Sequence, residues 1–458
     1  MGGLTGALNI SLGSLQVDED AIATSANNVA NADTPGYSRQ IANLAETAPI
    51  TIGNIQFGTG VTLQSVTSTR DSILDLRVNQ ETQLQGQLNA FISDGQQIQS
   101  LFNETGGTGL QAPLTAFFTS LSQLSANPSD TNTRQGVLTA ADNLATAFNQ
   151  TSANLSSLQS TTNLGVTQTV SQINTLTTQL ATLNTQIASS TGAGQNPGPL
   201  VDQRQLLLNQ LSNLVDVSEI NAGNGNITLT TSAGAPLVVG GQSFALTTQV
   251  NATTGQQDVY SQGTDITTQI ASGQLAGQIQ IRDQEIPALQ NSLDTLAFNF
   301  ANAVNTQNAA GFDLNGNAGG NFFTPPATVA GAAAGLSVAI TDPTLIAASQ
   351  DGQSGDNANA NALLALQNQN IVSGQTPLNY YSGIVFKIGN DVSSAQASEQ
   401  SGSAVLQQIQ NLQGGVSDVD QNEEAGKLVQ FQSAYEASAE VATTVNTLLQ
   451  DTINIIAL

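Results

Sequence analysis

The sequence predicts a mainly α-helical, elongated multidomain protein: paired terminal helices enclose a helical-bundle domain, which carries a small inserted antiparallel β domain. Three observations lead to this fold class. Apolar residues recur at helical spacing at both ends and through much of the middle of the chain. The period changes to an alternating one, with Gly-rich turns, between about Asp216 and Arg282. Aromatic residues make up only 4% of the chain, so Leu, Ile, Val and Ala must build the cores.

The N-terminal segment is predicted to form a helix with a heptad stripe. The stripe consists of Leu8, Leu15, Ile22 and Val29, which lie seven residues apart. A seven-residue period marks a seam for another helix. A helix packed on the core of its own domain would show the same spacing. No adjacent helical pattern is available at this end of the chain, however, so the stripe favours packing on a partner helix.

The C-terminal segment carries a matching stripe. Its members are Leu428, Phe431, Tyr435, Leu449 and Ile456. A preceding stripe from Val405 to Val419 has a different phase, and the change falls across Asn422–Gly426. An unbroken helix over the whole region would be ~80 Å long. We expect the two terminal segments to pair with each other as a coiled coil.

Striped helices also fill the middle of the chain. The first is marked by Ile73, Leu76, Leu84, Leu88, Phe91, Ile98 and Leu101. Three more are predicted over 144–187, 201–215 and 289–304, and Pro287 suits the first turn of the last. The predicted domains are 1–40 with 400–458 for the terminal helices, 41–215 with 285–399 for the helical bundle with some β structure, and 216–284 for the β insertion.

The charge balance limits the possible partners. Lys and Arg total 8 against 33 Asp and Glu, which gives a net charge of −25. Nucleic acids and anionic membrane surfaces are bound through Lys and Arg, so the sequence predicts neither as a partner. No run of ~18 apolar residues predicts a transmembrane helix. No Lys or Arg precedes Arg39, so the basic region of a cleaved signal peptide is missing and export by another route is expected.

The residue inventory also argues against an enzyme. The chain has no Cys and no His, which excludes imidazole-dependent triads and zinc sites with Cys or His ligands. The stretch from Gly311 to Phe323 begins like a calcium loop, but Ala318 and Thr324 occupy the positions that require Gly and Glu. We therefore predict a turn cluster there, and no metal, cofactor or catalytic residue.

Two acidic clusters are candidates for paired catalytic carboxylates. They are Asp18–Asp20 and Asn422–Glu424, and both lie in predicted helices. Neighbouring residues of a helix point to different faces, so neither cluster converges on a substrate. We expect both clusters to lie on solvated helix faces. No glycine-rich loop in the sequence fits a nucleotide-binding pattern.

The stretch ANNVANADTPGYS, from Ala26 to Ser38, interrupts the N-terminal helix. Pro35 disfavours helix at the preceding residue, and Gly36 permits a backbone angle that other residues avoid. The Asn side chains can bond free backbone groups at a helix end. A helix end followed by an ordinary loop would also account for the pattern. We predict a domain connector formed by Asn27, Asn28, Asn31, Thr34, Pro35, Gly36 and Tyr37, and we expect Tyr37 to pack against a neighbouring subunit.

Five stretches resemble one family. ANNVANADTPGYSRQ resembles the N-terminal signature of bacterial flagellar rod, hook and hook-associated proteins. LSANPSDTNTRQGVL, LVDQRQLLLNQLSNLVDV and GFDLNGNAGGNFF resemble segments of the hook-associated FlgK family, and the C-terminal stretch from Lys427 to Ile455 is similar to the end of that family. The chain is thereby identified as a member of the flagellar axial proteins.

The resemblance implies a structural protein that joins hook to filament. The implied partners are a ring of identical subunits, the hook protein below, hook-associated or filament proteins above, and an export chaperone on the C-terminal helix. The implied location is extracellular, after flagellar type III export. The two terminal stripes would then form the assembly interface. Two alternatives stay open: a hook or distal-rod protein, and a secreted adhesin or glycan-binding protein that uses the β insertion.

Overall fold

A computed structural model describes residues 2–52, 54–104 and 109–456, without the side chains of Ile52 and Ile456. Most of these residues are helical. In chain order the helices are α1 (Gly2–Ala30), α2 (Ser72–Leu101), α3 (Gln111–Ala126), α4 (Thr131–Gly192), α5 (Gly198–Leu214), α6 (Gly273–Gln280), α7 (Ile286–Ala309), α8 (Ala358–Ala365), α9 (Pro377–Ser417) and α10 (Gln421–Ile456). The mainly α fold class predicted from the sequence is confirmed.

The β structure consists of short antiparallel sheets. Its strands are β1 (Gln40–Glu46), β2 (Ile50–Ile52), β3 (Ile55–Phe57), β4 (Val61–Ser68), β5 (Ser218–Gly223), β6 (Asn226–Thr230), β7 (Pro236–Val239), β8 (Gln242–Ser243), β9 (Leu246–Val250), β10 (Gln257–Ser261) and β11 (Thr264–Asp265). Strand β1 pairs with β4 and β2 pairs with β3. The insertion forms a four-stranded sheet in the order β5-β6-β7-β8 and a three-stranded sheet in the order β11-β10-β9.

Polar residues fix the starts of the long helices. Asp71 accepts hydrogen bonds from the backbone N–H groups of Ile73 and Leu74 at the start of α2. Asp130 caps α4 in the same way, and Thr376 caps α9 with Pro377 in its first turn. These side chains satisfy N–H groups that have no partner inside the helix.

The terminal helices α1 and α10 pack along each other, and α1 also contacts β1 and β4. The C-terminal region is not one unbroken helix, because α9 ends at Ser417 and α10 begins at Gln421. The change of stripe phase in the sequence therefore marks a real interruption, a few residues before its predicted position. At this interruption the chain leaves the middle of the molecule and enters the terminal pair.

The middle of the molecule has a large apolar core. It is built from α2, α3, α4, α7, α8 and α9, and a group of phenylalanines occupies its centre. The rings of Phe117 and Phe300 meet edge to face with centroids 5.5 Å apart, and Phe118, Phe322 and Phe323 surround them. The sequence-based prediction omits α3, although Leu114, Phe117, Phe118, Leu121 and Leu124 have helical spacing.

A second core lies under the inserted sheets. It combines residues of α4, α5 and α6 with inward-facing strand residues such as Leu229, Val238 and Val259. The prediction of β structure up to Arg282 is wrong for residues 273–282, which are helical. There α6 runs into a π-helical segment, Ile281–Glu285, and then into α7. Pro287 therefore lies inside a continuous helical stretch, where the wider π turn accommodates a residue without an N–H group.

Candidate assembly site

Apart from Val17, the buried residues of α1 are small or polar. Ser11, Asp18, Ala21, Ser25 and Asn28 are buried, and they repeat at intervals of three, four and seven residues. The predicted stripe lies beside this face. Its members Leu8, Leu15 and Ile22 are half-buried and Val29 is exposed. The heptad stripe is therefore only partly covered within one chain.

Helix α10 shows the same division. Val445 is its buried apolar residue, whereas Leu428, Phe431 and Leu449 are half-buried and Tyr435 is 40% exposed. Several further apolar residues of the terminal pair face solvent: Leu12, Val429, Val441, Leu448, Ile453 and Ile455. So many exposed large apolar residues on one helix pair are typical of a protein–protein contact. The stripe residue Ile456 has a side chain outside the described part of the molecule.

The connector is organised around the side chain of Asn28. Its Nδ2 donates to the backbone carbonyl of Gln40 at 2.8 Å and to Oε2 of Glu424 at 3.0 Å. Its Oδ1 accepts from the backbone N–H of Gln40 at 2.9 Å and from the hydroxyl of Tyr37 at 2.8 Å. One buried amide thus ties the end of α1 to the start of β1 and to α10. Such a fully satisfied buried polar group specifies a unique arrangement.

The remaining predicted connector residues form the turn itself. Asn31 donates to the backbone carbonyl of Asn27 at 2.9 Å, and Asn27 donates to the hydroxyl of Tyr37 at 3.2 Å. The backbone N–H of Tyr37 donates to the carbonyl of Thr34. Burial, with the charges of Asp202 and Glu424, raises the pKa of Tyr37 to about 12. Sequence reasoning expects Tyr37 to pack against a neighbouring subunit. In the structure, however, the Asn side chains and Tyr37 have hydrogen-bond partners within the chain.

Gly36 is required by two features of this turn. Its φ is +78°, in the left-handed region that side chains with a Cβ disfavour. A Cβ at this position would also lie 2.6 Å from Cγ of Leu206 on α5. Pro35 fixes its own φ immediately before it. The turn therefore contacts α5 at Gly36, while residues 33–36 stay exposed on their outer side.

Charged groups fasten the connector to the start of α10. The backbone N–H of Arg39 donates to the carbonyl of Ser417, the last residue of α9, at 2.8 Å. The Arg39 guanidinium lies 2.9 Å from Glu423 and 3.7 Å from Glu424, and Lys427 reaches the same two carboxylates at 3.0 and 2.9 Å. Arg39 and the start of α10, which are 384 residues apart at Glu423, thus meet at one charged node.

The prediction that both acidic clusters lie on solvated helix faces is wrong for one residue in each. The side chain of Glu424 is 1% exposed, and Asp18 is buried on α1. Glu424 faces the contact between α1 and α10, where it accepts a hydrogen bond from Asn28, and the sequence does not reveal this contact. Burial raises the pKa of Asp18. Burial acts the same way on Glu424, but hydrogen bonds from Asn28, Lys427 and Ser25 outweigh it and lower its pKa.

A second polar chain links the connector to the middle helices. The backbone N–H of Ser38 donates to Asp202 on α5 at 2.9 Å, and Asp202 also accepts from Arg70 at 2.9 Å. Arg70 lies 3.3 Å from Asp75 on α2, which accepts a hydrogen bond from Gln413 on α9. A cavity of about 310 Å³ lies between these elements, lined by residues 32–38 and by side chains of α5 and α9. The network holds the terminal pair at a defined position on the bundle.

In the loop that begins like a calcium site, backbone N–H groups of the same loop donate to the first carboxylate. Asp313 Oδ1 accepts hydrogen bonds from the N–H groups of Asn315 and Asn317, both at 2.8 Å. This is an Asx-type turn cluster. The described residues contain no group of three or more acidic, His or Cys side chains placed to hold a metal. No helix in the described part of the chain has the length and hydropathy of a membrane span.

Similarity to known proteins places the chain in a family. Residues 95–323 match the family model described as the flagellar hook-associated protein FlgK helical domain. The hook-associated protein 1 of Bacillus subtilis (strain 168) is 31% identical over 96% of each chain. The chain belongs to the FlgK family of flagellar hook-associated proteins. The corresponding protein of Escherichia coli (strain K12) is 27% identical over 99% of this chain and 100% of its own length.

Two further matches bear on the fold and on the connector. The flagellar hook junction protein FlgK from Burkholderia pseudomallei superposes with a TM-score of 0.66, covering 74% of this chain and 100% of that chain at 21% identity, which supports the fold. Residues 8–37 match the model of flagella basal body rod proteins. That segment runs from the predicted stripe to Tyr37, so the connector motif is shared with rod proteins. The FlgK match in the middle of the chain separates this protein from the hook or rod alternative.

Proposed function

We propose that this FlgK-family chain is a structural subunit that joins the hook of the bacterial flagellum to its filament. Similarity over nearly the whole length of the B. subtilis hook-associated protein 1 carries the proposal. The structurally similar protein from B. pseudomallei is a flagellar hook junction protein. The exposed apolar surface of α1 and α10 supplies a surface on which such a subunit can assemble.

The assembly interface is the two terminal stripes. On α1 it comprises Leu8, Leu15, Ile22 and Val29, and on α10 it comprises Leu428, Phe431, Tyr435, Leu449 and Ile456. The support comes from their incomplete burial in the single chain. A ring of identical subunits would cover these residues. Each subunit would also contact the hook protein below and hook-associated or filament proteins above.

The location that follows for such a subunit is extracellular, on the flagellum. The subunit would be exported through the flagellar type III apparatus, and its exposed apolar residues on α10 would need cover beforehand. An export chaperone that binds α10 would provide that cover. Because the match to named hook-associated proteins spans nearly the whole chain, it favours the junction role over the adhesin alternative and over a catalytic role.

Electron microscopy of flagella tests the proposal directly. A motile bacterium whose own FlgK-type gene is replaced by the gene for this chain should carry filaments on its hooks. Removal of the chain should leave hooks without attached filaments and filament protein in the medium. A chain truncated after residue 420, which lacks α10, should fail in the same way although its middle domain is intact. Filaments of normal length in the absence of the chain would refute the proposal.

A further inference from the structure

The helical stretch from α6 to α7 carries one apolar stripe in the sequence but serves two cores. Leu275, Ile279, Ile286, Leu289 and Leu293 are spaced by four, seven, three and four residues, so an unbroken α-helix would place them on one face. In the structure the first two belong to the core under the inserted sheets, and the other three belong to the middle core. The π-helical segment, Ile281–Glu285, lies between the two groups.

The π turn changes the direction in which the two groups point. The backbone N–H of Ile286 donates to the carbonyl of Ile281, five residues back, and not to that of Arg282. A turn closed in this way holds one residue more than an α turn, and one residue amounts to roughly 100° of helical rotation. The apolar residues of α6 and α7 therefore face different sides of the stretch, each group toward its own core.

The π turn leaves one backbone carbonyl without a helical donor. In a five-residue pattern the carbonyl of Arg282 would bond the N–H of residue 287, but Pro287 has none. The side chain of Gln159 on α4 supplies the missing donor, and its Nε2 lies 2.9 Å from this carbonyl. In the α register Ile286 would take the carbonyl instead, and the ring of Pro287 would clash with the carbonyl of Asp283. Gln159 and Pro287 thus both favour the π turn.

The side chain of Arg282 fastens the same turn to two other elements. It is fully buried, and its guanidinium forms a bidentate pair with Asp283 at 2.7 and 2.8 Å. Its Nη1 donates to Oδ1 of Asn163 on α4 at 3.0 Å and to the backbone carbonyl of Gln257 on β10 at 2.6 Å. The same Oδ1 accepts the backbone N–H of Gln257 at 2.8 Å. A shift of the turn would therefore break its bonds to α4 and to β10 together.

We propose that Ile281–Glu285 is a register latch that Gln159 holds closed. In the closed state the π turn keeps α6 on the core under the sheets and α7 on the middle core. In the open state Ile286 donates to the Arg282 carbonyl, Gln159 loses its acceptor, and α6 rotates relative to α7. Leu275 and Ile279 then leave their core, so the inserted sheets loosen at α6 while the middle domain stays folded.

Hydrogen exchange of the full chain, followed by mass spectrometry, tests the latch. Gln159→Ala removes the donor to the Arg282 carbonyl, so amides of residues 273–286 should exchange about tenfold faster, while those of residues 296–309 keep their rate. Gln159→Glu keeps the length of the side chain but has no N–H group, and it should act like Gln159→Ala. The matched control is Gln290→Ala, which removes another glutamine bond between α7 and α4, to Ser156 at 3.2 Å, and should leave residues 273–286 unchanged.

A second substitution, Pro287→Ala, distinguishes the latch from a general weakening of the contact with α4. It supplies an N–H group at position 287, which can donate to the Arg282 carbonyl in the π register. In this background the loss of Gln159 should accelerate exchange in residues 273–286 by less than about twofold, compared with about tenfold when Pro287 is present. Each rate is compared with that of the chain that has the same residue at position 287 and retains Gln159.

Four outcomes would overturn the proposal. They are an unchanged rate in Gln159→Ala, an equal acceleration with and without Pro287, a Gln159→Glu chain that exchanges like the unmodified one, and faster exchange that extends to residues 296–309. The last result would mean that the middle core has loosened as a whole. Because exchange is measured on the isolated subunit, the latch and the junction role are tested independently.

Discussion

The middle domain and the terminal helix pair carry equally clear apolar stripes in the sequence, yet they use them differently. The middle domain buries its stripes in a continuous core around Phe117 and Phe300. The terminal pair buries Ser11, Ala21 and Asn28 and leaves Leu448 and other large residues exposed. A stripe thus shows that a surface needs a partner, but the partner can belong to the same chain or to another molecule.

The largest effect should come from the middle core. Phe300→Ala removes a fully buried ring that packs against Phe117, Phe118 and Phe323, and it should lower the free energy of unfolding by about 4 kcal/mol. Urea denaturation followed by circular dichroism measures this. The matched control is Phe386→Ala, whose ring is 75% exposed and should matter by less than about 0.5 kcal/mol. Equal midpoints for the two variants would contradict the contrast between buried and exposed stripes.

A smaller effect is expected at the turn that joins the two regions. Gly36→Ala introduces a Cβ where φ is +78° and where Leu206 leaves no room, so the local structure should lose about 2 kcal/mol. Hydrogen exchange at residues 28–40 should rise, while amides in α4 stay protected. Adding Leu206→Ala should relieve the contact and recover part of the loss. A complete recovery would show that the backbone angle contributes nothing.

The charged node should make the terminal pair sensitive to acid. Because hydrogen bonds lower the pKa of Glu424 below its ordinary value of 4.5, its stabilising contribution is present above that pH and is lost as the pH falls through the lowered pKa. Glu424→Gln should cost about 1 kcal/mol at neutral pH and flatten the acid dependence. Hydrogen exchange in α1 between pH 3 and pH 7 measures both. If hydrogen exchange in the variant depends on pH as it does in the unmodified chain, carboxylates other than Glu424 cause the acid sensitivity.

The smallest effect on the isolated chain should come from the exposed stripe. Leu448→Ser on α10 removes a side chain that is 47% exposed, so urea unfolding should shift by less than about 0.5 kcal/mol. The same change should strongly reduce filament attachment in cells if the residue is covered in the assembly. Normal attachment would mean that this face of α10 stays in solvent, which would weaken the distinction between the two regions.

The apolar pattern of the sequence predicted where the helices lie better than it predicted which residues they contact. The stripes in α1, α2, α4, α5, α7 and α10 are evident in the sequence, as are the turn residues Pro35 and Gly36. The predicted β insertion extends too far because LAGQIQ at 275–280 contains too few residues to show a helical period. The node of Asn28 with Glu424 joins positions 396 residues apart, and no spacing rule connects them. Burial of Glu424 follows from the packing of α10 on α1, where Ser25 and Asn28 bond its carboxylate.

Two continuous helical stretches cross from one core to the other. Helix α4 contributes Phe148 to the middle core and Val170 to the core under the inserted sheets, and at 62 residues it is roughly 90 Å long. The stretch from α6 through the π-helical segment to α7 does the same. A movement of one core relative to the other would therefore require both helical stretches to bend, because no flexible loop alone joins the two cores. Force applied to the sheet-bearing end would therefore be transmitted along both rods, as through a stiff lever.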